Sequence, residues 1–193
     1  MSVSLQKGQK VSLSKEAPQA HRILVGLGWD AKKKGLFGGG ADFDLDASCF
    51  ALRNGRLCGD KDICYFGNKE VMRGAIYHHG DNLTGEGEGD DEQITVNLDQ
   101  LDSDVDRIVF VVNIYGAKLK RQSFGDVKNA FIRLVDENTN TELFRYNLSD
   151  GSVKNVAGLI FAELYRHEGA WKFSAIGEGT KESSVGALAK LYK

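Results

Sequence analysis

Polar and apolar residues alternate without interruption from Asp42 to Cys49, in the sequence DFDLDASC. A period of two is that of a β-strand, because successive side chains point to opposite faces of the sheet. The alternation sorts the residues onto two faces, with Asp42, Asp44, Asp46 and Ser48 on one and Phe43, Leu45, Ala47 and Cys49 on the other. The pattern predicts a strand over residues 42–52, with an apolar core face and a second face that carries three carboxylates.

Short strands and tight turns are also predicted for the rest of the chain. It contains 23 Gly and only one Pro, and its apolar runs are short and bounded by Gly, Asn and Asp. We predict strands at residues 22–29, 63–66, 93–98, 107–115, 131–135 and 142–148, hairpins around Lys7/Gly8 and Glu168/Gly169, and a short helix within 182–192. The strand spacing favours an all-β sandwich.

A second acidic segment runs from Gly80 to Glu92, GDNLTGEGEGDDE, and places six carboxylates among four glycines. No Lys or Arg occurs from Gly74 to Asp106, so these acids have no basic neighbour in sequence. Unpaired carboxylates at this density are costly unless a cation lies among them. The alternative is that the segment is simply a solvated acidic loop.

Together the two segments offer the hard oxygen ligands that calcium prefers, six to eight per ion. Glycines let a short loop curl and turn carbonyl oxygens inward. The expected ligands are Asp42, Asp44 and Asp46 from the strand and Asp81, Asn82, Glu86, the Gly87 carbonyl, Asp90, Asp91 and Glu92 from the loop. Asp30 is either a peripheral ligand or a turn residue, and we expect His78 to orient the loop rather than to bind metal. Neither segment fits an EF-hand.

Length and composition limit the remaining possibilities. A chain of 193 residues suits one domain, spanning 1–193. No apolar run approaches the roughly 18 to 20 residues of a membrane helix, and no signal peptide is recognisable, so we expect a cytoplasmic protein without direct membrane insertion. The chain has a formal charge of −2 and no uniformly basic face, so no nucleic-acid partner is expected. Three cysteines without CxxC spacing are expected to be small buried residues.

No residue is marked as a catalytic acid, base or nucleophile, so we expect a binding module rather than an enzyme. Two alternatives remain open. A metal-dependent hydrolase of phosphoesters or sugars would need a water-accessible ion beside a pocket. A calcium-dependent lipid binder of the C2 kind would use the ion to bridge to anionic headgroups.

The chain resembles the TerD family, which includes tellurite-resistance and general stress proteins of bacteria. The resemblance covers nearly the whole chain in order, and it is carried by GLGWD (26–30), DFDLDAS (42–48), the acidic motif from His78 to Glu92, RQSFG (121–125), AFIRLV (130–135) and ELYRHEGAWKF (163–173).

This resemblance implies a β-sandwich of two mostly antiparallel sheets that holds two closely spaced Ca²⁺ ions. It implies no enzymatic activity and a role in resistance to tellurite, other chemical stress, phage and colicins. The implied partners are other Ter-family proteins, including an integral membrane protein, at the cytoplasmic face of the membrane.

Overall fold

The computed structural model describes residues 2–30, 43–81, 89–148 and 153–193. These ranges form thirteen strands, numbered here in chain order: β1 (Val3–Leu5), β2 (Lys10–Ser12), β3 (Arg22–Gly28), β4 (Leu45–Leu52), β5 (Ile63–Cys64), β6 (Glu70–Val71), β7 (Ile76–His78), β8 (Glu92–Asn97), β9 (Arg107–Ile114), β10 (Phe131–Asp136), β11 (Thr141–Asn147), β12 (Gly158–His167) and β13 (Ala170–Thr180).

The strands build two sheets. The first has the order β1-β11-β10-β3-β8-β7-β6, and the second has the order β2-β13-β12-β9-β4-β5. Among the described strands, only β1 and β11 pair in parallel, and the other pairs are antiparallel. The predicted all-β fold of two mostly antiparallel sheets is confirmed.

Helices are short and peripheral. The α-helices are α1 (Leu13–Glu16), α2 (Ala117–Lys120) and α3 (Val185–Ala189), and 3-10 turns cover Asp60–Asp62, Phe124–Asp126 and Lys190–Tyr192. None of the helices in the described ranges has both the length and the apolar character needed to cross a bilayer.

The main core lies between the two sheets, where residues such as Val25 and Ile94 of the first sheet join Phe110 and Leu164 of the second. A smaller cluster covers the outer face of the second sheet, where Phe50 of β4 packs with the C-terminal helix α3. Strand β4 is therefore buried on both faces. The face of β4 that was predicted to be polar carries Asp46 and Ser48 in its first half. In its second half, the same face carries Phe50 and Leu52, which pack in the smaller apolar cluster.

The predicted N-terminal hairpin is wrong. Strand β1 pairs with β11 in the first sheet, whereas β2 pairs with β13 in the second, so the turn at Lys7 and Gly8 connects the two sheets. The hairpin at Glu168 and Gly169 is confirmed, since His167 lies opposite Ala170 in an antiparallel pair. Both turn residues have positive φ, 54° and 77°, as a two-residue type I′ turn requires.

The two predicted acidic segments meet at one end of the sandwich. Strands β4 and β8 begin there, and β3 ends there, with Leu27 opposite Glu92. Strand β9 also ends there, which places Asn113 opposite Asp46. Segments far apart in sequence thus deliver their polar residues to the same place.

Candidate metal centre

Three of the predicted ligands lie together. Asp44 and Asp46, at the start of β4, and Asp81, after β7, each offer one carboxylate oxygen, and these oxygens lie within 4.8 Å of one another. Asp81 reaches this position because the preceding Gly80 has φ of 132°, a conformation that L side chains rarely adopt. Three like charges this close repel one another strongly unless a cation or protons neutralise them.

The burial of Asp46 increases that cost, although Asp81 is exposed. The Asp46 residue is only 6% exposed, and Asn113 Nδ2 donates a 2.9 Å hydrogen bond to its Oδ2 atom. Burial raises the pKa of Asp46 to about 7. The Asn113 hydrogen bond, the second largest influence, lowers this pKa, and the charges of Asp44 and Asp81 raise it further. Burial also raises the pKa of Asp44, and nearby Lys120 partly offsets that effect.

Two acceptor oxygens in this region lack a donor among the described residues. Asp44 Oδ1 and Asn113 Oδ1 are both shielded from solvent, and no residue in the described ranges donates a hydrogen bond to either. Buried acceptors without donors are rare in folded proteins, because each one loses its hydration without replacement. A cation is one partner that would satisfy both.

Glu92, the first residue of β8, connects the cluster to the rest of the sandwich. Its side chain is fully buried, and Oε2 accepts a 2.5 Å hydrogen bond from the Ala47 N–H group of β4. Burial raises the pKa of Glu92 to about 9, and a hydrogen bond with Asp81 and the charge of Asp46 add to the effect. Burial therefore favours the protonated form of Glu92 when no cation is bound.

His78 orients these elements through hydrogen bonds. Its Nδ1 atom accepts a hydrogen bond from the Gly80 N–H group at 3.1 Å, so Nε2 carries the proton and donates to the Ala47 carbonyl oxygen at 3.2 Å. The ring is completely buried, and this burial lowers the pKa of His78. A neutral imidazole with both nitrogens engaged matches the predicted orienting role.

Asp91 belongs to a second acidic group, at the end of β3. Its Oδ2 atom accepts a 2.8 Å hydrogen bond from the Trp29 N–H group, and burial raises its pKa, with a further contribution from the charges of Asp90 and Asp30. Asp30 accepts a 2.7 Å hydrogen bond from Asn129 Nδ2. Asp30 lines a cavity of about 730 Å³, together with residues that include Trp29 and Gly89.

Asp90 has a different environment from that expected of a ligand. Arg133 donates to both of its carboxylate oxygens, at 2.6 and 2.9 Å, and Gln93 Nε2 donates to Oδ2 at 3.1 Å. The structure therefore places Asp90 in an ion pair and not in the three-carboxylate cluster. Direct ligation by Asp90 stays a prediction.

Four predicted ligands, Asp42, Asn82, Glu86 and Gly87, lie outside the described residues.

Two positioning features were missed from the sequence. Asn113 stands as a polar residue in the apolar run IVFVVNI, and this irregularity could have identified it. Gly26 lies against Asp90, since a Cβ atom at position 26 would overlap the Asp90 carboxylate. The sequence carries no signal for this contact, because it depends on how β3 and the segment before β8 are aligned.

The donor set is chemically uniform. Carboxylate oxygens dominate, the one buried histidine is already engaged, and the described residues place no cysteine in the cluster. Such a set suits hard cations, which prefer oxygen, over zinc or copper.

Comparison with known proteins identifies relatives over the full length. The TerD domain family model matches residues 1–192. The chain is 52% identical over 180 residues to the tellurium resistance protein TerD of Alcaligenes sp.. The aligned region covers 93% of this chain and 91% of that protein. It is 47% identical to general stress protein 16U of Bacillus subtilis, over 99% of this chain and 95% of that protein.

Solved structures share the fold. A Streptomyces coelicolor homologue of telluride resistance protein superimposes with a TM-score of 0.67 at 24% identity, covering 90% of this chain and 98% of that chain. A protein of unknown function superimposes with a TM-score of 0.70 at 23% identity, covering 88% of this chain and 95% of that chain. The family model and the sequence relatives together show that this chain belongs to the TerD family of tellurium resistance and general stress proteins.

Proposed function

We propose that this chain is a calcium-binding module that acts in bacterial stress resistance and has no catalytic activity. The observation that carries the proposal is the convergence of Asp44, Asp46 and Asp81, whose oxygens lie within 4.8 Å of one another. Asp46 is buried beside these like charges, and their mutual repulsion favours a bound cation. A divalent cation would neutralise the cluster and satisfy the free acceptor on Asp44.

Calcium fits this set better than magnesium does. Mg²⁺ requires a near-ideal octahedron and retains several waters, whereas Ca²⁺ tolerates an irregular shell of six to eight oxygens. Carboxylates that come from the start of β4 and from the segment after β7 suit such an irregular shell. Asp42, Asn82, Glu86 and the Gly87 carbonyl are proposed as further ligands from their positions in the two sequence motifs.

A second ion is proposed at the group formed by Asp30 and Asp91. Both carboxylates already accept one hydrogen bond, from Asn129 and from the Trp29 backbone, which holds them in place at the end of β3. Burial and the charges of Asp90 and Asp30 raise the pKa of Asp91, and a bound cation would favour its ionised form. Asp90 is assigned a positioning role through Arg133.

Calorimetric titration with calcium tests the proposal directly. We expect two sites in the parent protein, and at least tenfold weaker binding at one of them in Asp46→Asn. Asp99→Asn is the matched control, because it removes an equal charge from an exposed residue paired only with His21 among the described residues. Absence of calcium binding in the parent, or equal binding by Asp46→Asn and the parent, would contradict the assignment.

In the cell, we propose that the module acts at the cytoplasmic face of the membrane with other Ter-family proteins. The support for this is family membership, since relatives are named for tellurium resistance and general stress. Resistance to phage and colicins is part of the same proposal. Tellurite survival of a deletion strain, complemented by the parent or by Asp46→Asn, would test whether the metal centre is needed.

A calcium-dependent lipid binder is a second candidate, favoured by one specific feature. Leu119 of α2 is 93% exposed and Tyr115 is 59% exposed, and Lys118, Lys120 and Arg121 lie in the same segment. The segment adjoins the metal centre, because the Tyr115 N–H group donates a 2.8 Å hydrogen bond to the Asp44 carbonyl oxygen. An apolar tip surrounded by cations suits an anionic bilayer surface.

Co-sedimentation with phosphatidylserine vesicles, with calcium or with chelator, tests this candidate. We expect calcium-dependent binding that Leu119→Ser abolishes. Leu191→Ser should leave binding intact, since Leu191 is also exposed but lies at the C-terminus. Equal sedimentation of all three proteins would exclude the segment as the contact.

A further inference from the structure

Cys49 and Cys64 form a buried pair that the metal centre does not use. Cys49 on β4 lies directly opposite Cys64 on β5 in an antiparallel register. Both residues are completely buried in the core between the sheets, and both are free thiols. The third cysteine, Cys58, is exposed.

We propose that Cys49 and Cys64 are an oxidation site that forms a reversible cross-strand disulfide. The inference rests on the strand register and is independent of calcium binding.

The register places the two residues within bonding range. Directly opposed residues of an antiparallel pair have Cα atoms about 4.5 to 5.5 Å apart. A disulfide needs Cα atoms about 4.4 to 6.8 Å apart, so the bond forms without a large backbone movement. No other pair of described cysteines shares a strand register, because Cys58 lies outside the strands.

Hydrogen bonds hold the reduced pair in an unreactive state. The Cys64 S–H group donates to the Lys69 carbonyl oxygen at 3.4 Å, and the Cys49 thiol interacts directly with Cys64. The hydrogen bond to Cys64, together with burial, raises the pKa of the Cys49 thiol. The thiolate is the reactive form, so oxidation requires local opening.

Strand β5 provides the route for that opening. It is two residues long and lies at the edge of the second sheet, where β4 is its single partner among the described strands. Short edge elements open at a small fraction of the cost of global unfolding. Cys64 therefore becomes accessible first, while Cys49 stays in β4 between β5 and β9.

The co-reactant is a hydroperoxide. The Cys64 thiolate attacks the terminal peroxide oxygen, the O–O bond breaks, and the products are Cys64 sulfenic acid and an alcohol, or water from hydrogen peroxide. When β5 closes, Cys49 Sγ attacks Cys64 Sγ, the S–O bond breaks, and water leaves with the Cys49 proton. The two thiols lose two electrons to the peroxide in total, and a dithiol reverses the change.

The pairing specificity provides the test, because three cysteines allow three intramolecular disulfides. The folded parent is treated with hydrogen peroxide, quenched with acid, alkylated in denaturant and digested with trypsin. Each cysteine then lies in its own peptide, at residues 35–53, 57–61 and 62–69. We expect the 35–53 to 62–69 crosslink to exceed each of the other two by at least tenfold.

The same treatment of urea-unfolded protein is the control, since a free chain favours the shorter Cys58 to Cys64 loop. A Cys58→Ser variant, altered only at an exposed position, should still form the crosslink and lose it on reduction. Predominant Cys58 pairing in the folded parent would overturn the proposal. Full alkylation of Cys49 and Cys64 after peroxide treatment of Cys58→Ser would also overturn it.

Discussion

Arg133 Nε and Nη2 donate hydrogen bonds of 2.6 and 2.9 Å to the two carboxylate oxygens of Asp90. The Asp90 side chain is completely buried, whereas that of Arg133 is 27% exposed. The ion pair joins β10 to the segment that leads into β8, next to the proposed calcium sites. A buried carboxylate that loses its only cationic partner becomes strongly destabilising.

We therefore predict strong coupling between Asp90 and Arg133. Breaking a buried pair costs about 3 to 5 kcal/mol, so Arg133→Gln alone should lower the free energy of unfolding by an amount of that order. A double-mutant cycle with Asp90→Asn, measured by urea denaturation, gives the coupling energy. If Asp90 only positions the segment, this energy is the same in chelator and in saturating calcium. A coupling energy that collapses in calcium would show that Asp90 is also a ligand.

Gly26 should tolerate no side chain. A Cβ atom there would overlap Asp90 Oδ2, so the ion pair with Arg133 would have to shift. Overpacking of this kind costs about 1 to 3 kcal/mol, and we predict a loss of that size for Gly26→Ala by thermal or urea denaturation. Gly186→Ala is the matched control, because a Cβ atom added to this residue of α3 would meet nothing within 4 Å. Equal stability of the two variants would contradict the packing at Gly26.

Asp46→Asn should have opposite effects on the metal-free and calcium-bound protein. Removing one of three close carboxylates relieves repulsion, so the metal-free variant should unfold at a higher temperature than the parent at pH 8. The same change removes a charged ligand, so calcium affinity should fall at least tenfold, about 1.4 kcal/mol. Thermal denaturation and calorimetric titration check the two effects. A variant that is less stable than the parent in both states would point to a purely structural role.

Calcium binding should release protons at pH 7. The pKa of Glu92 is raised to about 9 and that of Asp46 to about 7. If Glu92 is a ligand beside Asp46, as the sequence predicts, binding requires both carboxylates to be ionised. We predict release of roughly one to two protons, measured as the dependence of binding enthalpy on buffer ionisation enthalpy. The number should fall towards zero above pH 9. A binding enthalpy that is the same in all buffers at pH 7 would contradict the burial of these groups.

The same pKa shifts set the pH dependence of the metal-free protein. An acid with a raised pKa in the folded state favours folding most fully below its unfolded pKa, and that contribution is lost as pH rises through the folded pKa. Because of Asp46 and Glu92, the free energy of unfolding of the metal-free protein should fall steadily as the pH rises from about 4 to about 9. Saturating calcium should remove this decline.

Sequence patterns identified the long strands because runs of branched and aromatic residues, such as those in β9 and β10, strongly favour buried β-strands. Strands β6 and β7 were missed, since two or three residues carry no readable period. Alternation also does not specify a strand's partner. For this reason β1 and β2 looked like a hairpin but lie in different sheets.

The same limit applies to the site. Asp44, Asp46 and Asp81 were predicted from charge density and are brought together in the structure. The contacts of Asn113 with Asp46 and of Arg133 with Asp90 depend on cross-strand register, which the residues themselves do not encode locally. Charge clustering indicates where a cation belongs, whereas register decides which carboxylates are left to bind it.

The most direct measurement of the calcium assignment is the melting temperature in chelator and in calcium. At about 100 times the dissociation constant, calcium adds about 2.7 kcal/mol per independent site, which raises the melting temperature of a domain of this size by roughly 5 to 10 °C. We predict at least that increase for the parent and a clearly smaller one for Asp46→Asn. A parent melting temperature that is unchanged between chelator and millimolar calcium would contradict calcium binding at this centre.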